Sequence, residues 1–239
     1  MVKRASVIKW GLSSVLFRKQ AVVGVILYVF ACTAPQFDKS QSVVLPLFDS
    51  YGIGYLSIIS LLRFLILQLM PLYITGVGVS SAYDQNIFFR VRLLQSSEWQ
   101  KAMEATLLGV TGGFCTLRLV CSLFLGETPN PNILIRGEHI FLCYFLAILE
   151  SFASGLLLVN LYTRMRSITG AFLILFSFYF GVALLPFRYY PFGLSAYSRV
   201  QLLSSTIEDS FKIAFFYLMV IVFLLHVWLW NGVRKYLRS

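Results

Sequence analysis

What most limits the fold of this chain is a series of long apolar runs, at about residues 21–36, 52–80, 103–125, 140–162, 168–186 and 211–230. The hydrocarbon core of a bilayer takes roughly 20 apolar residues in a helix. Within it every backbone amide and carbonyl must be satisfied by the chain itself, which leaves only α-helices and closed barrels. Barrel strands read as short alternating segments, whereas these runs are long and continuous. The expectation is an all-α polytopic membrane protein with six transmembrane helices. Composition agrees: 13% of residues are charged, 58% are hydrophobic and the mean hydropathy is +0.78. A soluble domain carries about a quarter charged residues.

Residues 1–20 are basic and mildly amphipathic: Ile8, Trp10, Leu12, Val15 and Leu16 stand among Lys3, Arg4, Lys9, Arg18 and Lys19. A secretory signal would show an apolar run closing on a small-residue cleavage site. Here the run starts after Lys19 and ends at Pro35-Gln36 without one, so residues 1–20 read as an interfacial helix. Residues 21–239 then form the six-helix transmembrane domain. Its first span is short, and its second is expected to kink at Pro71.

Six spans place both termini on one face. That face carries thirteen of the Lys and Arg residues and the opposite face five, with Arg63 and Arg118 inside the runs. The positive-inside rule then puts the termini and the 80–106 stretch in the cytoplasm of a plasma-membrane, multi-pass protein. Trp10, Trp99, Trp228 and Trp230 all fall at the inner interface, which indole rings favour. The net charge of +10 is thereby explained by membrane edges and anionic lipid, without nucleic acid. Cys32, Cys115, Cys121 and Cys143 fall in the runs without metal-ligand spacing and read as small buried hydrophobes.

The stretch Ser80–Thr106 is a polar interruption on the basic face, with a cytoplasmic segment at 81–102. Ile87, Phe88, Phe89, Leu93 and Leu94 are too apolar for a solvated loop, yet Arg90 and Arg92 break them. Such a piece lies on the membrane or fits a partner's groove. Ser97-Glu98-Trp99-Gln100 fits a capping box, Ser97 bonding the third helical amide and Gln100 reaching back. It predicts a helix from Glu98, through Lys101, running without a break into the third span.

No phosphate loop, HExxH or GxSxG motif is present, so no catalytic or metal residues are assigned and no cofactor is expected. His139 and His226 are predicted on opposite faces and cannot share a site. The charges inside spans are Arg63, Arg118 and Glu150, each roughly 12–15 Å below the outer end of its helix. A lone charge in hydrocarbon costs about 3 kcal/mol and normally faces protein or a wet cavity. They line a cargo path, or they form an ion pair joining spans two, three and four. Beside Glu150, the small residues Ala147, Ser151 and Gly155 recur at four-residue spacing and admit a close helix, within the chain or across a dimer.

Taken together, the basic N-terminus, six spans and second cytoplasmic loop resemble the small permease subunits of bacterial ABC-2-type exporters, notably those associated with bacteriocin and antimicrobial-peptide export and immunity. Asp84, Arg90, Arg92, Ser97, Trp99 and Lys101 carry the loop resemblance. The short first span and a small outer segment depart from the polysaccharide exporters of that family. The resemblance implies a non-enzymatic homodimer, or a pair with a similar permease, in which a separate ATP-binding protein binds ATP and Mg. Residues 1–20 would be a connecting elbow helix. Ile87, Phe88, Phe89, Arg90, Arg92, Leu93, Leu94, Ser97, Glu98, Trp99 and Lys101 would couple to the ATPase. The cargo would be an amphipathic peptide, a lipid or a hydrophobic drug. The alternative is a non-transport immunity or accessory protein that binds a membrane-active peptide. An intramembrane enzyme using Glu150 or His226 is a third reading.

Overall fold

The computed structural model describes residues 12, 13, 15, 19–33, 58–83, 96–125, 137–184 and 207–238. Their six long helices are α1 (Lys19–Thr33), α2 (Ile58–Tyr83), α3 (Ser96–Leu125), α4 (Gly137–Met165), α5 (Ile168–Leu184) and α6 (Ile207–Arg238), and no strand occurs among the described residues. Three of them contain a stretch long and apolar enough to cross a membrane: Gln100–Cys121, Tyr144–Met165 and Phe215–Gly232. The apolar parts of the other three are shorter, at Lys19–Cys32, Leu65–Ser80 and Ile168–Gly181. The described residues are thus almost wholly helical, with the helices of a membrane-embedded chain.

Outward-facing side chains agree. Ile26 and Phe30 on α1, Leu173 on α5, and Phe216 and Phe223 on α6 are all more than half exposed. Water penalises such a surface, and lipid does not.

α4 is the centre of the bundle, packing against α2, α3, α5 and α6. Small residues let its neighbours approach. Gly155 lies so near α3 that a Cβ there would stand 3.3 Å from Cδ2 of Leu107, and Cys115 Sγ of α3 lies 3.5 Å from Ser151 Oγ. Of the row at Ala147, Ser151 and Gly155, Ser151 and Gly155 are thus turned toward α3. On the other side Gly232 of α6 fits over Thr163, whose Oγ1 lies 3.2 Å from a Cβ built there.

Among the described residues three large apolar clusters fill the interior, beside a smaller one at Leu146 and Leu218. One joins Leu69 and Leu72 of α2 to Leu158 of α4 and Leu175 of α5. A second joins Met103 and Leu107 of α3, Leu156 and Val159 of α4, and Leu225 and Leu229 of α6. The third holds Tyr28 of α1, Ile74 of α2 and Phe114 of α3. Tyr28 also donates to the Phe114 carbonyl at 3.3 Å. Val15 and Leu12 join this third cluster, Val15 against Gly78 and Leu12 against Gly109. Leu12 and Val15 are thus seated on protein at α2 and α3.

These contacts require the helices to run in alternating directions. The starts of α1, α3 and α5 then share one end of the bundle with the finishes of α2, α4 and α6. The turn between α4 and α5 marks it, and it is called the hairpin end below. The tight basic hairpin expected at Thr163–Arg166 is there. Arg166 takes a positive φ of 54° and its amide donates to the Tyr162 carbonyl at 2.8 Å, which is a left-handed helix stop. Ser167 then caps α5, its Oγ accepting from the Gly170 amide at 3.2 Å.

Element bounds differ modestly from expectation. α6 begins at Ile207 rather than Phe211 and continues to Arg238, so Glu208 and Asp209 are helical. α2 passes through Pro71 as one continuous helix. α3 begins at Ser96 and reaches Leu125 as a single 30-residue helix, as the unbroken third span required.

Candidate functional site

Polar side chains inside apolar helices are costly unless hydrogen-bonded. Here many hydroxyls bond back to their own helix: Thr75 to the Pro71 carbonyl at 2.6 Å, Thr106 to Ala102 at 2.8 Å, and Thr111 to Leu107 at 2.8 Å. Other polar residues go further and join helices, and two groups of them gather several side chains.

The first lies midway along the bundle. Glu150 of α4 is 2% exposed and Arg118 of α3 is 8% exposed, so both intramembrane charges face protein. Ser154 Oγ donates to the Glu150 carbonyl at 2.9 Å and pairs with the Tyr179 hydroxyl of α5. Both charges are close enough to Cys115 to act on it electrostatically. Glu150 acts likewise on Tyr179, and Arg118 on Tyr28. The structure therefore brings Arg118 and Glu150 into one polar core shared by α1, α3, α4 and α5. Arg63 occupies a helical position in α2, and its side chain lies outside the described residues.

The second set lies at the hairpin end, between α3 and α6. Gln100 is 1% exposed. Its Nε2 donates to Glu104 Oε1 at 2.7 Å and to the His226 carbonyl at 3.2 Å. Nδ1 of His226 in turn lies 2.7 Å from the same Glu104 oxygen. The capping-box role expected for Gln100 is thereby corrected: its amide points across to α6 rather than back toward Ser97. The reason is geometric. A side chain one turn into a helix can turn inward as easily as backward, and here a backbone carbonyl and a carboxylate lie inward.

At the same level of α6, Asn160 of α4 donates to the Leu225 carbonyl at 3.0 Å, and one turn along α4 toward the hairpin end Arg164 lies over the Trp228 ring at 4.4 Å. α3 and α4 are thus both bound to α6 by polar contacts near the hairpin end. Sequence reasoning missed Gln100, Glu104 and His226 as a group. The available signal was that Gln100 and Glu104 are one helical turn apart and that they and His226 fall near run ends expected on the same face.

Of the expected coupling residues, Lys101 is exposed on α3. Ser97, Glu98 and Trp99 lie in the first turn of α3, with side chains outside the described residues. Ile87, Phe88, Phe89, Arg90, Arg92, Leu93 and Leu94 lie outside the described residues altogether. No protein-family model, curated protein or solved structure matches the chain.

Proposed function

We propose that this chain is the membrane-spanning permease subunit of an ATP-driven exporter of ABC-2 type. It crosses the plasma membrane six times with both termini in the cytoplasm. It pairs with a second copy or a similar permease and is powered by a separate ATP-binding protein. The cargo class is an amphipathic peptide, a lipid or a hydrophobic drug.

The observation that carries this reading is the continuity of α3. A single helix leads from the segment expected to dock on the ATPase, past the Gln100–Glu104–His226 contact, to Cys115 and Arg118 in the polar core. Thirty residues at 1.5 Å per residue give about 45 Å of rigid rod. A displacement at its foot is therefore delivered to the middle of the bundle. The 81–102 segment and the positive-inside asymmetry support the same direction of coupling.

The test is to purify the tagged chain from membranes of its own host. An ATP-binding protein recovered in about equal amount, and lost on Phe88→Asp or Arg90→Glu, supports the reading. Recovery of the chain alone, with its host activity intact, excludes it and leaves the peptide-binding immunity or accessory protein as the better account.

A further inference from the structure

Two glycines on neighbouring helices receive the N-terminal segment. Gly78 lies in the last two turns of α2, and Gly109 lies in the first half of α3. Glycine weakens a helix, and at both positions the space of the missing side chain is filled from outside these helices. A Cβ at Gly78 would stand 2.9 Å from the Cα of Val15, and one at Gly109 would stand 2.9 Å from Cδ2 of Leu12. At Gly78 the backbone itself comes close, so no change of rotamer makes room. Val15 is 1% exposed.

Leu12 and Val15 are helical and three positions apart, which puts them on one face. That single face reaches both helices. The seam between α2 and α3 adjoins both glycines. Val79, next to Gly78, shares a buried cluster with Met103 and Leu107 of α3. Val110, next to Gly109, shares another with Ile74 of α2 and with Val15 itself. The helices so bridged are the two joined by the chain between Tyr83 and Ser96.

The seat can be left at small cost. The segment is basic, with Lys3, Arg4, Lys9, Arg18 and Lys19 around its apolar residues. Such a segment also settles in a membrane interface. Unseating therefore trades contacts with protein for contacts with lipid and does not expose Leu12 and Val15 to water.

We propose that the segment bearing Leu12 and Val15 is a strap that closes the α2–α3 seam. Its release from the two glycines lets the end of α2 and the start of α3 move apart, and with them the ends of the chain that joins them. The inference goes beyond the permease reading and stands without it, because the spacing of α2 and α3 is measured on this chain alone.

Two readouts on the full chain in detergent test it. The first is N-ethylmaleimide labelling of Val15→Cys, read at that peptide by mass spectrometry, with Lys19→Cys as the exposed reference. The second is the distance between genetically encoded spin labels at Ser80 and Lys101. Position 15 is expected to label far more slowly than position 19. Gly78→Val should speed labelling at position 15 roughly tenfold, equal to about 1.4 kcal/mol of overpacking, and should lengthen or broaden the spin-label distance. Gly109→Ala should act in the same direction, and Leu12→Ala should reverse it by removing the atoms that the new Cβ meets. Gly113→Ala, at an open position, should change neither readout. Labelling of position 15 as fast as position 19 in the otherwise unaltered chain overturns the seat. Faster labelling with an unchanged distance overturns the strap, since the segment then rides on the seam without closing it. A changed distance with position 15 still protected also overturns it, because Gly78 then acts through α2 and α3 alone.

Discussion

Nδ1 of His226 lies 2.7 Å from Oε1 of Glu104, and the same oxygen accepts from Gln100 at 2.7 Å. The contact binds the first turns of α3 to His226, a little past the middle of α6. His226 is 48% exposed and Glu104 17%, so the pair by itself is worth little in water. Buried Gln100 raises its value, because breaking the pair disturbs an amide that water does not reach.

A double-mutant cycle on Glu104→Gln and His226→Ala is therefore expected to give a coupling of about 0.5–1.5 kcal/mol in thermal or denaturant unfolding in detergent. Gln100→Leu should remove most of that coupling if the three side chains act together. Strict additivity of the two single changes would show that the contact contributes nothing.

Asn160 gives a second test of how α4 is held to α6. Its Nδ2 donates to both the Leu156 and Leu225 carbonyls. Asn160→Leu keeps the branched shape and removes the interhelical bond. The expected loss is about 0.6 kcal/mol, the average for polar contacts between membrane helices, with about 1.7 as the upper bound. Asn160→Ala should cost more, since it also leaves a cavity.

The glycines separate close packing from open surface. Gly155→Val should force α3 and α4 apart at Leu107 and destabilise by about 1–3 kcal/mol, the usual cost of overpacking. A Cβ built at Gly113 of α3 meets nothing within 4 Å. Gly113→Ala is therefore expected to be neutral or to stabilise by up to ~1 kcal/mol through helix propensity. Equal melting temperatures for the two variants would contradict the assignment of Gly155 to the α3–α4 seam.

Glu150 tests whether the polar core is a path or a brace. The carboxylate is buried beside the Ser154–Tyr179 pair and within electrostatic reach of Cys115. The expected result for Glu150→Gln is a lower yield and melting temperature with the activity per folded molecule retained, while Glu150→Leu lowers the yield further. Loss of activity at unchanged stability would assign Glu150 to the cargo path instead.

Much of the fold was legible in the sequence because apolar run length reports directly on helix existence. The runs at 103–125, 140–162 and 211–230 each lie inside a described helix, and the turn after Arg164 falls where the basic residues placed it. Rotation about each helix was far less legible. In a membrane the lipid-facing and protein-facing sides are both apolar, so the 3.6-residue pattern fades. α5 shows this plainly: Tyr179 is buried between exposed Phe178 and Phe180, and nothing in the string Phe-Tyr-Phe marks it. The hairpin-end contact was hidden for a different reason. Gln100 satisfied a local helix-start motif, and only the packed arrangement shows its amide turned toward α6.

The most direct measurement of the central claim is photo-crosslinking from position 88, with a benzophenone amino acid replacing Phe88 in the chain expressed in its own host. The expected result is a covalent adduct with an ATP-binding protein, weakened when Arg90 is changed to Glu. Adducts with lipid alone, from a chain that retains its host activity, would contradict the account and place this segment on the membrane surface.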